Sequence, residues 1–168
     1  MEGVEIAGKL LTVEEVLTVL AETPLLVAAA TGGLRPAQLR ATPEFGGWSL
    51  YEVLGHLRSC ADVWGGCCMR ILAEDWPTVR AIDPRTWLKG TDYLELDFRS
   101  SFERYRRQRR EFLEVLELLS PEDWSRSATV TGAGAVLERT AQFYAQWMAR
   151  HERSHYRQIK TIAHSIRA

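Results

Sequence analysis

The sequence predicts an all-α protein, a four-helix bundle with long crossover connections. Three observations carry that prediction. Apolar residues recur every three or four positions over four separate stretches. Two of the stretches open on a capping box, Thr12 with Glu15 and Ser49 with Glu52. The segments between the stretches are too long for a simple up-down-up-down order. At 168 residues, with no internal repeat or composition break, the chain reads as a single domain over 1–168 with its core at about 12–165.

The first helix follows a loose lead-in over 1–11 and sets Val13, Val16, Leu17 and Leu20 on one face. Pro24 bends it or restarts it with Thr23 as cap, and Gly32-Gly33 ends it. Residues 35–42 form a connector with a short helical turn. The second helix starts at Leu50 and runs to about Glu74, burying Leu50, Val53, Leu54, Leu57, Ala61, Trp64, Cys68 and Ile71. Gly65-Gly66 weakens its middle, which suggests close packing on a neighbour. Pro77, Pro84 and Gly90 break any period over 75–96, a long connection of the kind that crosses a bundle end or serves function. Asp97 caps a third helix to about Leu119, with the seam Phe98, Phe102, Tyr105, Arg109, Phe112, Leu116 and Leu119. Ser120-Pro121 opens a short extra turn, and 125–135 is a brief extended piece or a loop. The fourth helix spans roughly 136–165, with Leu137, Ala141, Tyr144, Met148, Ile159, Ile162 and Ile166 as its stripe.

Composition excludes several functions. The net charge of −1 gives no general attraction to nucleic acid or to anionic membranes. Arg104, Arg106, Arg107, Arg109 and Arg110 make a basic run among Glu103, Glu111 and Glu114, which reads as a solvated helix face. No apolar run is long enough to span a bilayer. Glu2 and Glu5 stand where a secretory signal needs positive charge, so a cytoplasmic protein is expected. Cys60, Cys67 and Cys68 are odd in number and crowd one helix; they read as reduced thiols.

The chemistry gathers on the fourth helix. His151 and His155 occupy stripe positions where Leu or Ile is expected, and four residues turn a helix by only about 40° past a full circle. Two imidazoles side by side in a core are costly unless their nitrogens are satisfied, and a divalent metal does that. His56, at the edge of the second helix's buried face, supplies a third imidazole. Three protein ligands with an open position is the pattern of catalytic rather than structural zinc, although imidazole suits nickel, copper and iron too. Cys60, one turn after His56, reads as a packed core thiol rather than a fourth ligand.

Three motifs then resemble one family. Glu52-Val53-Leu54-Gly55-His56-Leu57 after the Gly-Gly-Trp-Ser cap is similar to the first signature of the DinB-like (YfiT-like) metalloenzyme superfamily. His151-Glu152-Arg153-Ser154-His155-Tyr156-Arg157-Gln158-Ile159 resembles its last, and Leu-Ser-Pro-Glu-Asp-Trp at 119–124 its connector. The resemblance covers approximately 12–163. It implies a bundle with crossover connections, often a homodimer, and a zinc or nickel ion held by His56, His151 and His155. It also implies a small-molecule substrate: members include thiol-dependent transferases and isomerases, and some hydrolases.

On these grounds the expected activity is S-transfer from a low-molecular-weight thiol cosubstrate, activated by the metal. A metal-dependent hydrolase and a non-catalytic metal-binding or dimerising module are the alternatives. Tyr105 and Arg109 are the polar candidates to line the entrance under the 75–96 connection, with Arg109 pairing an anionic group of the cosubstrate. A side chain snorkelling at the seam's edge is the preferred reading of Arg109 taken alone. Glu52 can orient a ligand imidazole or act as a base, with the helix cap as its favoured role. Trp48 and Trp147 read as packing residues near the site. Metal affinity is expected to fall as pH drops through the ordinary imidazole range.

Overall fold

The computed structural model describes residues 10–167. The chain forms α1 (Val13–Thr31), α2 (Pro36–Arg40), α3 (Leu50–Cys60), a π-helical turn (Ala61–Gly65), α4 (Gly66–Ala73), β1 (Thr78–Arg80) and α5 (Pro84–Leu88). It continues through α6 (Phe98–Leu116), α7 (Pro121–Ser125), β2 (Ser127–Ala133), β3 (Ala135–Thr140) and α8 (Ala141–Arg167). The architecture is a four-helix bundle of α1, α3–α4, α6 and α8 with a small sheet at one end. Among the described residues no helix is long and apolar enough to cross a membrane. The readings made for Glu2, Glu5 and most of the lead-in lie outside the described residues.

Local chemistry sets the helix starts. Both capping boxes form: Thr12 and Ser49 accept from the backbone N–H three residues on, and Glu15 and Glu52 reach back to the cap N–H. Asp97 caps α6 through Ser100 N–H. Pro24 neither restarts α1 nor is capped by Thr23. The helix runs through it, and the Thr23 hydroxyl donates to the Val19 carbonyl instead.

Two departures from the sequence reading shape the site. The second helix carries a π-turn, so the buried side chain of Val63 is followed by that of Cys68 at a spacing of five, and Ala61 and Trp64 are only partly buried, packed on the edge of the core. The fourth helix begins at Ala141, not 136, because 127–140 folds into a β-hairpin. Gly132 and Gly134 at its tip have φ of +83° and +92°, a left-handed backbone that glycine tolerates. Leu137 therefore stands on a strand opposite Val130. β1 adds in parallel to β2, so the sheet order is β1-β2-β3.

The core has two apolar clusters. One contains Val16, Leu20, Ile71, Leu116, Trp124 and Met148, beside the sheet. The other contains Val27, Leu50, Leu54, Phe102, Ile159 and Ile162. The 75–96 connection lies on α3 so closely that a Cβ at Gly55 would stand 2.9 Å from the Leu94 side chain. Asp62, in the π-turn, fastens it: its carboxylate accepts from Trp87 Nε1 at 3.1 Å, from the Tyr93 hydroxyl and from Gln108 Nε2 of α6 at 2.6 Å.

Candidate metal centre

Three imidazoles from two helices meet at one point. His56 Nε2 lies 3.1 Å from His151 Nε2, which lies 3.0 Å from His155 Nε2. The positions follow from the helices: α3 is buried on nearly every face and carries His56 inward, while α8 presents His151 and His155 one turn apart. His155 Nδ1 is 2.7 Å from Gln158 Oε1; the amide oxygen accepts, so the proton sits on Nδ1 and Nε2 keeps its lone pair.

These contacts cannot all be satisfied by the protein. An imidazole nitrogen offers either one N–H or one lone pair, yet His151 Nε2 faces two other Nε2 atoms. At least one of the two pairings is left unmade, in a largely buried site where that is costly. A cation accepts all three lone pairs together. A tetrahedral ion bound at about 2.0–2.1 Å sets its nitrogens about 3.3 Å apart, so small side-chain shifts accommodate one. The donor set fits a divalent cation.

The protonation states agree with that role. Burial, then the neighbouring imidazole of His155, brings His56 down to about 4. Burial, then His155 and His56, brings His151 down to about 2. His155 is also lowered, chiefly by burial, against the hydrogen bond to Gln158. All three are neutral at physiological pH and need lose no proton to bind a metal. The fall in metal affinity expected near the ordinary imidazole pKa is thereby moved to lower pH.

Aromatic rings wall the site. Trp48 lies edge-on to His56 at 5.0 Å and parallel to His155 at 6.2 Å. Trp64 meets His151 edge-on at 4.9 Å and Trp147 at 5.5 Å. Arg85, on α5 of the 75–96 connection, holds its guanidinium 5.3 Å from the Trp48 ring, and its charge helps depress all three histidines. Cys60 Sγ is 3.6 Å from His56 Nε2, and with His56 and His151 it makes a compact group of candidate ligands. Burial, then the Glu152 carboxylate, pushes its thiol far up, so it stays protonated.

Two sequence candidates, Arg109 and Tyr105, stand elsewhere than expected, and Glu52 takes its favoured role. Arg109 neither snorkels nor faces an entrance: it is 1% exposed and its Nη2 donates to Glu152, itself 1% exposed. Burial alone lowers the pKa of Arg109, but Glu152 and Tyr105 outweigh it and hold the guanidinium charged. Tyr105 is fully buried beside this pair, with its ring 5.6 Å from the guanidinium carbon. Glu52 gives its carboxylate to Ser49 N and Oγ, both at 2.8 Å, which is the cap role.

Sequence reasoning missed Glu152, Gln158 and Arg85. Glu152 was detectable: it falls four after Met148 on the buried stripe, and Arg109 on a facing seam needs an anionic partner. Gln158, three after His155, is the kind of outer hydrogen-bond partner that a ligand histidine takes. Arg85 left no signal, because its approach depends on how the 75–96 connection folds back.

The chain is similar to several known proteins. The model of the DinB superfamily matches residues 20–159. A protein of Geobacillus thermodenitrificans (strain NG80-2) named "Putative metal-dependent hydrolase" is 26% identical over 127 residues, spanning 72% of this chain and 68% of its own. YfiT from Bacillus subtilis, described as "a probable metal-dependent hydrolase with an unusual four-helix bundle topology", superposes with a TM-score of 0.67 at 20% identity, over 96% of this chain and 90% of that one. The sibling lethal factor precursor DfsB follows with a TM-score of 0.59 at 17% identity, over 95% of each chain. At those identities the two structures speak for the fold.

Proposed function

The chain belongs to the DinB superfamily, and from that premise we propose that it is a metal-dependent hydrolase whose divalent ion is held by Nε2 of His56, His151 and His155. The observation that carries the reading is the convergence of three neutral imidazole nitrogens that no protein group can satisfy together. The relative named as a metal-dependent hydrolase supports the reaction class. Zinc or nickel suits such a donor set.

A bound divalent ion supplies Lewis acidity, which polarises an ester or amide carbonyl. The chain's own residues do the rest. Gln158 fixes the His155 tautomer and ring orientation. Trp48 and Trp64 cover the imidazoles and limit water to the remaining side. Arg85 adds positive charge beside Trp48, where it favours a substrate carrying an anionic group. Cys60 is 3% exposed, which keeps its sulfur from an incoming substrate.

Thiol transfer is the second reading. Its residue-level support was Arg109 as an anchor for an anionic cosubstrate, and that guanidinium is taken by Glu152. The two reactions separate in one experiment. Metal-loaded protein is assayed on ester and amide panels without thiol, and on electrophiles with low-molecular-weight thiols. Hydrolysis that needs the metal and no thiol supports the proposal; turnover that appears only with an added thiol replaces it with S-transfer.

A further inference from the structure

A cavity lies against the outer side of the metal centre's aromatic wall, through Trp64 and Trp147. It has a volume of about 550 Å³, within the range of small-molecule sites. One side is the hairpin, through Val130, Leu137 and Arg139; the other is Val63, Trp64 and Cys67 of the π-turn and α4. Phe143, Tyr144 and Trp147 of α8 form its floor. None of the three histidines lines it, but Trp64 touches His151 edge-on from the other face of the wall.

Its chemistry is lopsided. The lining is almost wholly aliphatic and aromatic, with a single charged group, Arg139. That guanidinium stacks 4.5 Å from the Phe143 ring, and its hydrogen bond is Nη1 to the Glu138 carbonyl at 3.0 Å. Among the described residues no carboxylate forms an ion pair with it. Arg126, partly buried like Arg139, is by contrast engaged with Asp75 and two backbone carbonyls. A cation left unpaired at the margin of an apolar cavity selects a ligand with an apolar body and one negative end.

We propose that this cavity binds an amphipathic monoanion, an acyl or aryl chain ending in a carboxylate, with the chain against Trp64, Phe143 and Trp147 and the carboxylate on Arg139. The site is distinct from the metal centre, and it stands whether the reaction there is hydrolysis or thiol transfer.

Cys67 lines the cavity, whereas Cys60 and Cys68 are buried in the core. Cys67 therefore reports occupancy. The test uses octanoate, octanol and octylammonium as probes on the metal-loaded protein. Alkylation of each cysteine by N-ethylmaleimide is followed by mass spectrometry, and affinity by tryptophan fluorescence. Octanoate is expected to slow Cys67 alkylation and to bind about tenfold more tightly than octanol, the scale of a charge-assisted hydrogen bond. Octylammonium is expected to bind more weakly than either. Arg139→Gln should bring octanoate to parity with octanol while leaving octanol binding and metal content unchanged. Equal binding of all three probes by the parent protein, or octanoate binding that leaves Cys67 unprotected, overturns the proposal without touching the metal reading. Should Arg139→Gln fold poorly, the head-group series and the Cys67 protection on the parent chain decide the matter alone.

Discussion

The histidine cluster and the Arg109–Glu152 pair are both polar intrusions into helical seams, the pair fully buried and His151 and His155 only partly so, and they are opposite in kind. Arg109 and Glu152 face each other across α6 and α8, and each answers the other's charge. His56, His151 and His155 direct three like Nε2 atoms at one point, and no opposite charge stands there to answer them. Arg109 Nε and Nη1 and Glu152 Oε2 are left without partners, so what this pair supplies is the meeting of opposite charges, which ties two helices together. A buried set of like groups has no such internal answer and is suited to a cation. The difference places Arg109 with the packing of the fold and leaves the histidines as the candidate metal ligands.

The largest effect that tests this contrast is on stability. Arg109→Ala or Glu152→Ala leaves one buried charge unanswered and should cost about 3–5 kcal/mol, measured by denaturant unfolding. The double replacement Arg109→Met with Glu152→Leu should recover most of that loss. His151→Ala, by contrast, should change the stability of metal-free protein by less than about 2 kcal/mol. Equal losses at Arg109 and His151 would erase the distinction.

A second effect tests the 75–96 connection. Asp62→Ala removes the acceptor for Trp87, Tyr93 and Gln108 and leaves three donors without it. The expected cost is about 1–3 kcal/mol. Proteolysis should then begin in the connection, with the metal content of the folded protein unchanged. Retained protection there would show that the packing of Leu94 on Gly55 suffices.

The pH dependence separates the two regions without changing a residue of the pair. In the unfolded chain His56 and His151 titrate near about 6.5; in the folded, metal-free protein burial lowers them to about 4 and about 2. Between about 6.5 and about 4 the unfolded chain binds more protons, so stability falls as pH falls. Removing His56 and His151 together should flatten that slope. An identical slope in the double variant would mean that these imidazoles are not held neutral.

The smallest effect is at the cap. Ser49→Ala should cost about 1 kcal/mol by freeing the first-turn N–H of α3, and Glu52→Gln less, neither altering metal stoichiometry. Loss of metal in Glu52→Gln would return Glu52 to the site.

Much of this was legible in the sequence because it is local. Capping boxes, the helical stripes and the His-x-x-x-His spacing each depend on residues within one or two turns. The hairpin was hidden for a physical reason. β3 is a half-exposed edge strand with no strong alternation, and Leu137 stands four before Ala141, so it mimics another turn of α8. The π-turn was hidden because a single five-residue step between Val63 and Cys68 is lost among threes and fours. Arg109 was misplaced because its partner lies on another helix, and only the packing of α6 on α8 reveals which polar residue it meets.

Metal stoichiometry in single histidine variants tests the central claim most directly. Purified protein and the His56→Ala, His151→Ala and His155→Ala variants would be loaded with zinc or nickel, desalted and measured by elemental analysis, with folding checked by circular dichroism. The account predicts about one ion per chain in the parent, none retained by folded His151→Ala or His155→Ala, and strongly weakened binding in His56→Ala. Full stoichiometry at unchanged affinity in any folded variant would contradict it.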